Sequence, residues 1–397
     1  MDGSAPLQAL HSFTPSLRRL SPSQRLLYDH SMRRTAAFGI LVALLAGGTL
    51  GAAPNPWTPE KAAAWYRGQP WLVGSNYIPA SAINQLEMWQ ADTFDPRRID
   101  VELGWAESIG MNTMRVFLHD LLWQQDAEGF RRRLDTFLAI ADKHHIRPLL
   151  VLFDSCWDPN PQLGRQHEPK PGVHNSGWVQ SPGARALEDP AQVPRLEAWG
   201  KGVVGAFAND KRILGWDLWN EPDNTNAGSY TDPADKVERV LVLLPQVFAW
   251  ARSVDPAQPL TSGVWQGEWS SPDRLSPMNK VQLENSDVIS FHSYEPADEF
   301  ERRVKSLARY GRPILCTEYM ARPRGSTFQS ILPVAKKFKV GAINWGFVQG
   351  KTQTYLPWDS WQHPYVEHPP AVWFHDIFYA DGKPYRPAEV DFIRGIH

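Results

Sequence analysis

The sequence predicts an α/β fold, a (β/α)8 TIM barrel with long loops after strands three, four and eight. Short apolar segments of strand length alternate with helical or irregular segments along the chain, and two of these segments end abruptly at a carboxylate. The chain has 397 residues, which a barrel with insertions accommodates as one unit. We therefore expect residues 54–397 to form a single barrel domain.

The first of the two segments is the apolar run 213–219, which leads directly into Asn220, Glu221 and Pro222. Proline cannot donate a hydrogen bond to a sheet, so the predicted strand ends where the carboxylate appears. In a barrel of parallel strands the carboxyl ends carry the chemistry, whereas the opposite rim mainly serves stability. Glu221 is therefore a candidate catalytic residue.

The second segment is the run 313–319, which follows the turn residues 311–313 and carries Glu318 near its end. Two carboxylates at two strand ends are what glycoside hydrolysis requires. One acts as the proton donor and the other as nucleophile or base.

A family resemblance rests on these two motifs. Trp219-Asn220-Glu221-Pro222 followed by Thr317-Glu318-Tyr319 resembles the large clan of retaining glycoside hydrolases built on (β/α)8 barrels, and is most similar to family 5, which includes cellulases and mannanases. The resemblance implies that Glu221 is the acid/base, Glu318 the nucleophile, and Asn220 the donor to the sugar 2-hydroxyl.

The remaining elements are assigned from apolar runs and helical periodicity. The predicted strands are 71–77, 113–119, 147–153, 213–219, 260–265, 288–292, 313–319 and 340–345. The predicted helices are 95–108, 129–144, 196–209, 236–254 and 387–396. The stretch before residue 71 is interpreted as a linker.

Strand two contributes Arg115 and His119. Arg115 alternates with apolar neighbours and should point inward near the rim. The resemblance implies that it lies beside the nucleophile and keeps it ionised; the alternative is a core ion pair with no catalytic role. His119 ends the same strand, where it either contacts the substrate or forms a hydrogen bond at the rim.

Strand six contributes His292 and Tyr294, whose spacing of two residues places both side chains on one strand face. The resemblance implies that the Tyr294 hydroxyl bonds the nucleophile and that His292 organises the site. The alternative is a buried histidine beside a core tyrosine. The resemblance implies that Trp345 is the strand-eight tryptophan that lies at the base of the reactive-sugar subsite. Trp157, at the end of strand three, is a further candidate for substrate binding.

Three irregular segments, 158–194, 223–233 and 347–373, are predicted to be loops around the carboxyl ends of the strands. Loops of such length are commonly lids or binding loops, although packing alone can also order them. They favour a pocket, and hence exo action, over an open cleft. Their candidate sugar contacts are His174, Asn175, Trp178, Gln349, Gln353, Trp358 and Trp361.

The composition narrows the choice of partner. The net charge of −2 and a pI near 6.6 give no electrostatic case for binding nucleic acid or an anionic membrane. The 18 tryptophans suit stacking on sugar rings, although most are expected in the core. We expect a carbohydrate substrate, no cofactor and no metal site. Cys156 and Cys316 are expected to be buried and unpaired. The sequence does not predict an oligomeric state.

The N-terminal region carries a separate prediction. Residues 1–31 are polar and are interpreted as a disordered leader, or as a stretch upstream of the true start at Met32. Residues 32–53 combine arginines, an apolar run and small residues, the pattern of a secretory signal. A secreted or periplasmic protein is expected. The alternative is an uncleaved anchor that holds the protein at a membrane.

The sequence thus favours a retaining β-glycosidase that hydrolyses β-linked oligo- or polysaccharides. Two alternatives remain. One is a transglycosylase that uses the same two glutamates with a sugar acceptor, and the other is a barrel that binds glycans without catalysis.

Overall fold

Eight parallel strands form the centre of the computed structural model, which describes residues 55–396. The strands are β1 (Val73–Asn76), β2 (Thr113–Phe117), β3 (Leu149–Val151), β4 (Gly215–Asp217), β5 (Leu260–Thr261), β6 (Ile289–His292), β7 (Ile314–Glu318) and β8 (Gly341–Asn344). Every strand is buried along its whole length, as expected for a sheet covered on both faces.

The strand order β5-β4-β3-β2-β1-β8-β7-β6 is that of a barrel read around its circumference. Its last seam, between β5 and β6, is closed by a bridge of Val264 with Phe291. Val264 N–H donates to the carbonyl of Ser290 at 3.1 Å and its own carbonyl accepts from His292 N–H at 3.0 Å. The predicted (β/α)8 barrel is confirmed.

Helices surround the barrel and bury a continuous apolar layer against it. The helices are α1 (Pro59–Arg67), α2 (Gln85–Trp89), α3 (Pro96–Ser108), α4 (Asp120–Lys143), α5 (Ala184–Glu188), α6 (Val193–Ala206), α7 (Lys236–Arg252), α8 (Pro277–Asn285), α9 (Ala297–Leu307), α10 (Phe328–Phe338) and α11 (Pro387–Gly395). Within residues 55–396, no helix is both long and apolar enough to cross a bilayer.

The amino end of the barrel is closed by α1, where the sequence predicted a linker. Thr58 caps this helix by accepting from Lys61 N–H at 3.2 Å, and Pro59 occupies the first turn, where proline is tolerated. Trp65 and Tyr66 of α1 pack on a small apolar cluster at that end of the barrel. The cluster consists of Leu72, Leu149, Leu214, Val288, Leu315 and Ile343.

Other boundaries also differ from the sequence prediction. Helix α4 begins at Asp120 rather than residue 129, because a kink at Asp126 (φ −160°, ψ 80°) interrupts the pattern that marks its second half. The predicted loop 158–194 contains α5 and a short 3-10 turn at Pro190–Gln192. The predicted leader and signal segment, 1–53, lie outside the described residues.

Candidate active site

Glu221 lies just beyond the carboxyl end of β4 in an unusual backbone conformation. Its φ of 44° falls in the left-handed region, which a non-glycine residue occupies only at a cost of about 1–3 kcal/mol. The strand has ended at Asp217, and Pro222 prevents any continuation of the ladder. The turn leaves the carboxyl group buried, with 8% of the residue exposed.

Glu318 ends β7, and an extra residue in that strand redirects its side chain. Phe291 of β6 pairs with Cys316, but His292 pairs with Glu318, so Thr317 is the additional residue of a bulge. Bulges locally re-aim side chains and are common at active sites. Asn76 donates to the Thr317 carbonyl at 2.8 Å and so fixes the bulge from inside the barrel.

Arg115 connects the ends of four strands. Its guanidinium donates to Glu318 Oε1 at 2.9 Å, and to Asp217 Oδ2 at 2.9 and 2.8 Å. It also donates to the side-chain oxygens of Asn76 at 2.9 Å and Asn220 at 2.7 Å. The side chain is fully buried and every guanidinium nitrogen has an acceptor. Such a fork holds Glu318 and Asn220 in fixed positions.

The two glutamates have different neighbours. Glu318 accepts a second hydrogen bond, from the Tyr294 hydroxyl to Oε2 at 2.6 Å. Glu221 Oε2 accepts from the Asn224 amide at 2.7 Å and from the Cys156 thiol at 3.2 Å, and its Oε1 lies 2.9 Å from His292 Nδ1. Glu318 therefore contacts a fixed cation, and Glu221 contacts none.

These neighbours act on the pKa of each carboxyl. Burial raises the pKa of both Glu221 and Glu318. At Glu318 that rise is opposed by His292 when the imidazole is charged, by Arg115 and by the Tyr294 hydroxyl, and the charge of Glu221 adds to it. At Glu221 the hydrogen bonds from Asn224 and Cys156 and the charge of Arg115 oppose the rise, and Asp223 adds to it. Burial lowers the pKa of His292 to about 4, so the imidazole is neutral near pH 7. Direct contact with Arg115 at 2.9 Å therefore favours the charged form of Glu318, and Glu221 has no such contact.

A possible metal-binding group is formed by Glu221, His292 and Glu318. Each of them offers one potential ligand atom, and these three atoms lie within 4.8 Å of one another. That grouping has the composition of a metal site. However, Arg115 already compensates the charge of Glu318 at 2.9 Å, and a guanidinium in that position disfavours a second cation.

A cavity of about 240 Å³ lies above the two carboxyls. Its wall contains five tryptophans, namely Trp157, Trp178, Trp265, Trp345 and Trp358. Trp345 packs edge-on against Phe117 and Trp178, at centroid distances of 6.0 and 5.9 Å, which holds its ring at the base of the cavity. Aromatic faces joined to a few placed polar groups are typical of a small-ligand site.

Most of the residues predicted from the sequence meet here. Some of them contact one of the two carboxyls and others line the same cavity. They are Asn220, Arg115, Trp157, His292, Tyr294 and Trp345. Among the loop candidates, His174, Trp178 and Trp358 line the cavity, whereas Gln353 binds loop backbone instead.

His119 takes the second of its two predicted roles. It is not part of the cavity wall, because β2 ends at Phe117 and His119 caps α4. Its Nδ1 accepts from Leu121 N–H at 3.2 Å, and the side chain is fully buried. The assignment of His119 to substrate binding is therefore corrected to a hydrogen bond at the rim.

The thiol of Cys156, for which the sequence predicts only burial, touches Glu221. Both cysteines are buried and unpaired, as predicted. Asp154 was also given no role, although its Oδ1 accepts from Asn220 at 2.9 Å and its Oδ2 from Trp178 Nε1 at 2.6 Å. The clustering of Asp154, Cys156 and Trp157 directly after a strand was the available signal.

An eight-stranded barrel with an acidic pair at its carboxyl end is the arrangement that glycoside hydrolysis requires. The model of the cellulase family (glycosyl hydrolase family 5) matches residues 172–363, a range that includes both glutamates. This match covers just under half of the chain, and it confirms the resemblance to family 5 noted in the sequence. A comparison with curated protein sequences returned no significant match.

Solved structures share the fold. An exo-β-1,4-mannosidase from Opitutaceae bacterium strain TAV5 is 22% identical with a TM-score of 0.54, over 81% of this chain and 59% of that one. The GH5_18 protein from Streptomyces cattleya, in complex with Manβ1-4GlcNAc, is 12% identical with a TM-score of 0.55, over 82% and 80% of the two chains. An endo-β-1,4-mannanase from Thermotoga petrophila is 15% identical with a TM-score of 0.53, over 83% and 77%. The chain thus spans less than two thirds of the Opitutaceae enzyme.

Proposed function

We propose that the protein is a retaining β-glycosidase that works by double displacement, with Glu318 as nucleophile and Glu221 as acid/base. The observation that carries this proposal is the spacing of the two carboxyls, which have oxygens within 4.8 Å of each other. Retaining enzymes separate the two groups by about 5–5.5 Å, whereas inverting enzymes need about 6.5–9.5 Å to admit a water between them.

In the first step Glu318 attacks the anomeric carbon and forms a glycosyl ester while the bond to the leaving oxygen breaks. Glu221 gives its proton to that oxygen, so the leaving group departs as a neutral alcohol. Arg115 and the Tyr294 hydroxyl, at 2.9 and 2.6 Å, keep Glu318 ionised and aimed before the attack.

In the second step water attacks the same carbon from the side the leaving group vacated. Glu221, now a carboxylate, takes a proton from that water, the ester bond breaks, and Glu318 leaves as a carboxylate. His292, at 2.9 Å from Glu221, and Asn224, at 2.7 Å, hold the acid/base in place through both steps. Both glutamates end each cycle in their starting states.

The sugar that reacts is proposed to lie on Trp345, with Trp157 at the edge of the cavity. Asn220 is suited to bind the 2-hydroxyl. Its side-chain oxygen is held by Arg115, so its amide N–H groups face Asp154 and the weak acceptor Cys156 Sγ, at 2.9 and 3.3 Å. A sugar hydroxyl is a stronger acceptor than a thiol sulfur. β-Mannosides are the first substrates to test, because the structures of similar fold include a mannosidase and a mannanase.

The test is the configuration of the first product. Proton NMR of a fresh digest of an aryl β-glycoside should show the β-anomer before mutarotation, and a first-formed α-anomer would refute the mechanism. Glu318→Ala should abolish turnover of every substrate. Glu221→Ala should retain turnover on substrates with an activated leaving group, and azide should rescue it as the β-glycosyl azide.

Product analysis of the same reaction distinguishes hydrolysis from transglycosylation, since longer oligosaccharides form at high substrate concentration only if a sugar acceptor outcompetes water. Tight binding without turnover would indicate a glycan-binding barrel instead.

We further propose that residues 32–53 direct export of the protein. The charge, apolar run and small residues of this segment support the proposal. Sequencing the N-terminus of the exported protein tests whether this segment is a cleaved signal. A mature chain that begins near residues 52–54 agrees with cleavage, and a retained segment 36–50 contradicts cleavage and indicates an uncleaved anchor.

A further inference from the structure

Two loops join above the barrel although their strands are not neighbours. The β3 loop (152–183) and the β8 loop (345–386) follow strands separated by β2 and β1. Asn175 N–H nevertheless donates to the Thr352 carbonyl at 2.7 Å, and His174 N–H donates to Ser360 Oγ at 2.9 Å. The β3 and β8 loops therefore bridge the side of the site that lies over β1 and β2.

Gln353 of the β8 loop holds this junction most directly. Its side-chain oxygen accepts from Gly172 N–H at 3.1 Å, and its amide donates to the carbonyls of Lys170 at 2.8 Å and Val173 at 3.0 Å. Tyr365 N–H adds a bond to the Gly172 carbonyl at 2.9 Å. One side chain thus makes three bonds to the backbone of the opposite loop.

The inner part of the junction is buried, whereas Gln353 at its outer edge is half-buried. His174, Asn175 and Ser360 are at most 1% exposed. From below, the segment after β1 supports the β3 loop, since Asn84 donates to the Gly177 carbonyl at 2.9 Å. Buried, hydrogen-bonded backbone resists local opening, so the joined loops bound the cavity over β1 and β2.

The opposite side of the site is open. A groove of about 390 Å³ continues from the cavity past Asn224 and Trp265, which line both spaces, toward Asp223 and Gln266. Trp265 is fixed there by its Nε1–H, which donates to Asp223 Oδ1 at 2.6 Å. This groove starts beside the Asn224 amide that holds Glu221.

We propose that the enzyme acts in exo mode and removes one sugar at a time from the non-reducing end of a β-linked oligosaccharide. The proposal rests on the function proposed above, because Glu221 must protonate the leaving oxygen. The leaving chain then lies on the Glu221 side, in the groove with Trp265. The sugar bonded to Glu318 lies on the closed side, in a cavity of about 240 Å³. That volume also includes the space beside Asn224 and Trp265 and is below the roughly 300 Å³ at which pockets for drug-sized ligands begin, so the part on the closed side has room for about one ring.

The experiment follows the products of a β-1,4-linked hexasaccharide that carries a fluorescent label at its reducing end, first mannohexaose and then cellohexaose. At low conversion we expect free monosaccharide and labelled pentasaccharide, with monosaccharide in at least about tenfold excess over unlabelled disaccharide. Early unlabelled disaccharides or longer fragments, with retained configuration, would overturn exo action and leave the mechanism standing. An inverted product, or no cleavage of any β-glycoside, would instead overturn the proposed function and this inference with it.

Gln353→Asn tests the role of the junction. The shorter amide cannot span the same three partners, while asparagine tolerates the left-handed backbone that Gln353 adopts at φ 53°. Gln362→Asn is the control, since Gln362 of the same loop bonds the Gly228 carbonyl, at 3.2 Å, rather than the β3 loop. We expect the disaccharide share to rise in Gln353→Asn and to stay at the wild-type level in Gln362→Asn. Equal shares in both variants would refute the assignment of exo action to this junction, and the wild-type products test exo action even if Gln353→Asn fails to fold.

Discussion

Tyr294→Phe removes one hydroxyl from Glu318 and changes little else. The hydroxyl donates to Glu318 Oε2 at 2.6 Å. The ring of Tyr294 packs edge-on against Trp358 at 5.0 Å and lies 5.6 Å from His375, contacts that phenylalanine keeps. The variant therefore isolates a single hydrogen bond to the proposed nucleophile.

The size of the effect follows from the charge of the acceptor. Hydrogen bonds to charged groups contribute about 1.5–3 kcal/mol. At about 1.36 kcal/mol per decade, kcat/KM should fall on the order of 10- to 150-fold. Activity should persist, because Arg115 still bonds Glu318 at 2.9 Å.

The pH profile carries the more specific expectation. Burial raises the pKa of Glu318, and the Tyr294 hydroxyl opposes that rise by bonding the ionised form. Without the hydroxyl the pKa of Glu318 rises further. Since Glu318 must be ionised to attack, the acidic limb of kcat/KM should move to higher pH.

The assay is kcat/KM for an aryl β-glycoside across the pH range, with Tyr319→Phe as the matched control. The Tyr319 hydroxyl is also buried but has no hydrogen-bond partner among residues 55–396. Tyr319→Phe should leave the acidic limb in place. An acidic limb that stays put or moves to lower pH in Tyr294→Phe would refute the reasoning, as would equal shifts in both variants.

Three further predictions concern other groups. Cys156→Ala removes a donor that lowers the pKa of Glu221 against the effect of burial, so the basic limb of kcat/KM should move to higher pH, and an unmoved limb would argue against the thiol contact. Burial raises the pKa of Asp376 to about 7 from 3.8, so its ionisation destabilises the fold increasingly as pH rises between those values. Asp376→Asn should therefore stabilise the protein above pH 7 by up to ~4 kcal/mol, from about three pKa units at 1.36 kcal/mol each, with no gain near pH 4 in thermal unfolding. Denatured, non-reduced protein should titrate with two free thiols, from Cys156 and Cys316, and a count of zero would contradict the strand order.

The barrel could be predicted because its strands are buried on both faces. Such strands appear in the sequence as short apolar runs, and those ending at Glu221 and Glu318 also locate the chemistry. The runs are longer than the strands, since the residues beyond each end stay buried without pairing. The run 260–265, for example, contains only Leu260–Thr261 as a strand, yet Val264 closes the barrel.

The rest of the site depends on contacts that leave no periodic trace. His119 continues the apolar pattern of β2, but its imidazole caps the next helix, and a sequence pattern does not separate the two positions. The contact of Cys156 with Glu221 joins residues 65 positions apart across two strand ends. The bonds of Gln353 likewise join two irregular loops, whose pairing only the fold determines.

The shared hydrogen bonds of the β3 and β8 loops limit how this enzyme can be recombined with its relatives. A chimera that receives only one of the two loops inherits buried groups without their partners, such as the Asn175 N–H or the Thr352 carbonyl, which lie 2.7 Å apart. Each orphaned group costs about 1–3 kcal/mol, and a few of them approach the net stability of about 5–15 kcal/mol of a typical domain. The smallest unit that can be exchanged is therefore the pair of loops. Diversification of specificity should proceed through coordinated changes in two segments that are distant in sequence. Gly172 and Gln353, which are 181 positions apart, form one contacting pair between these segments.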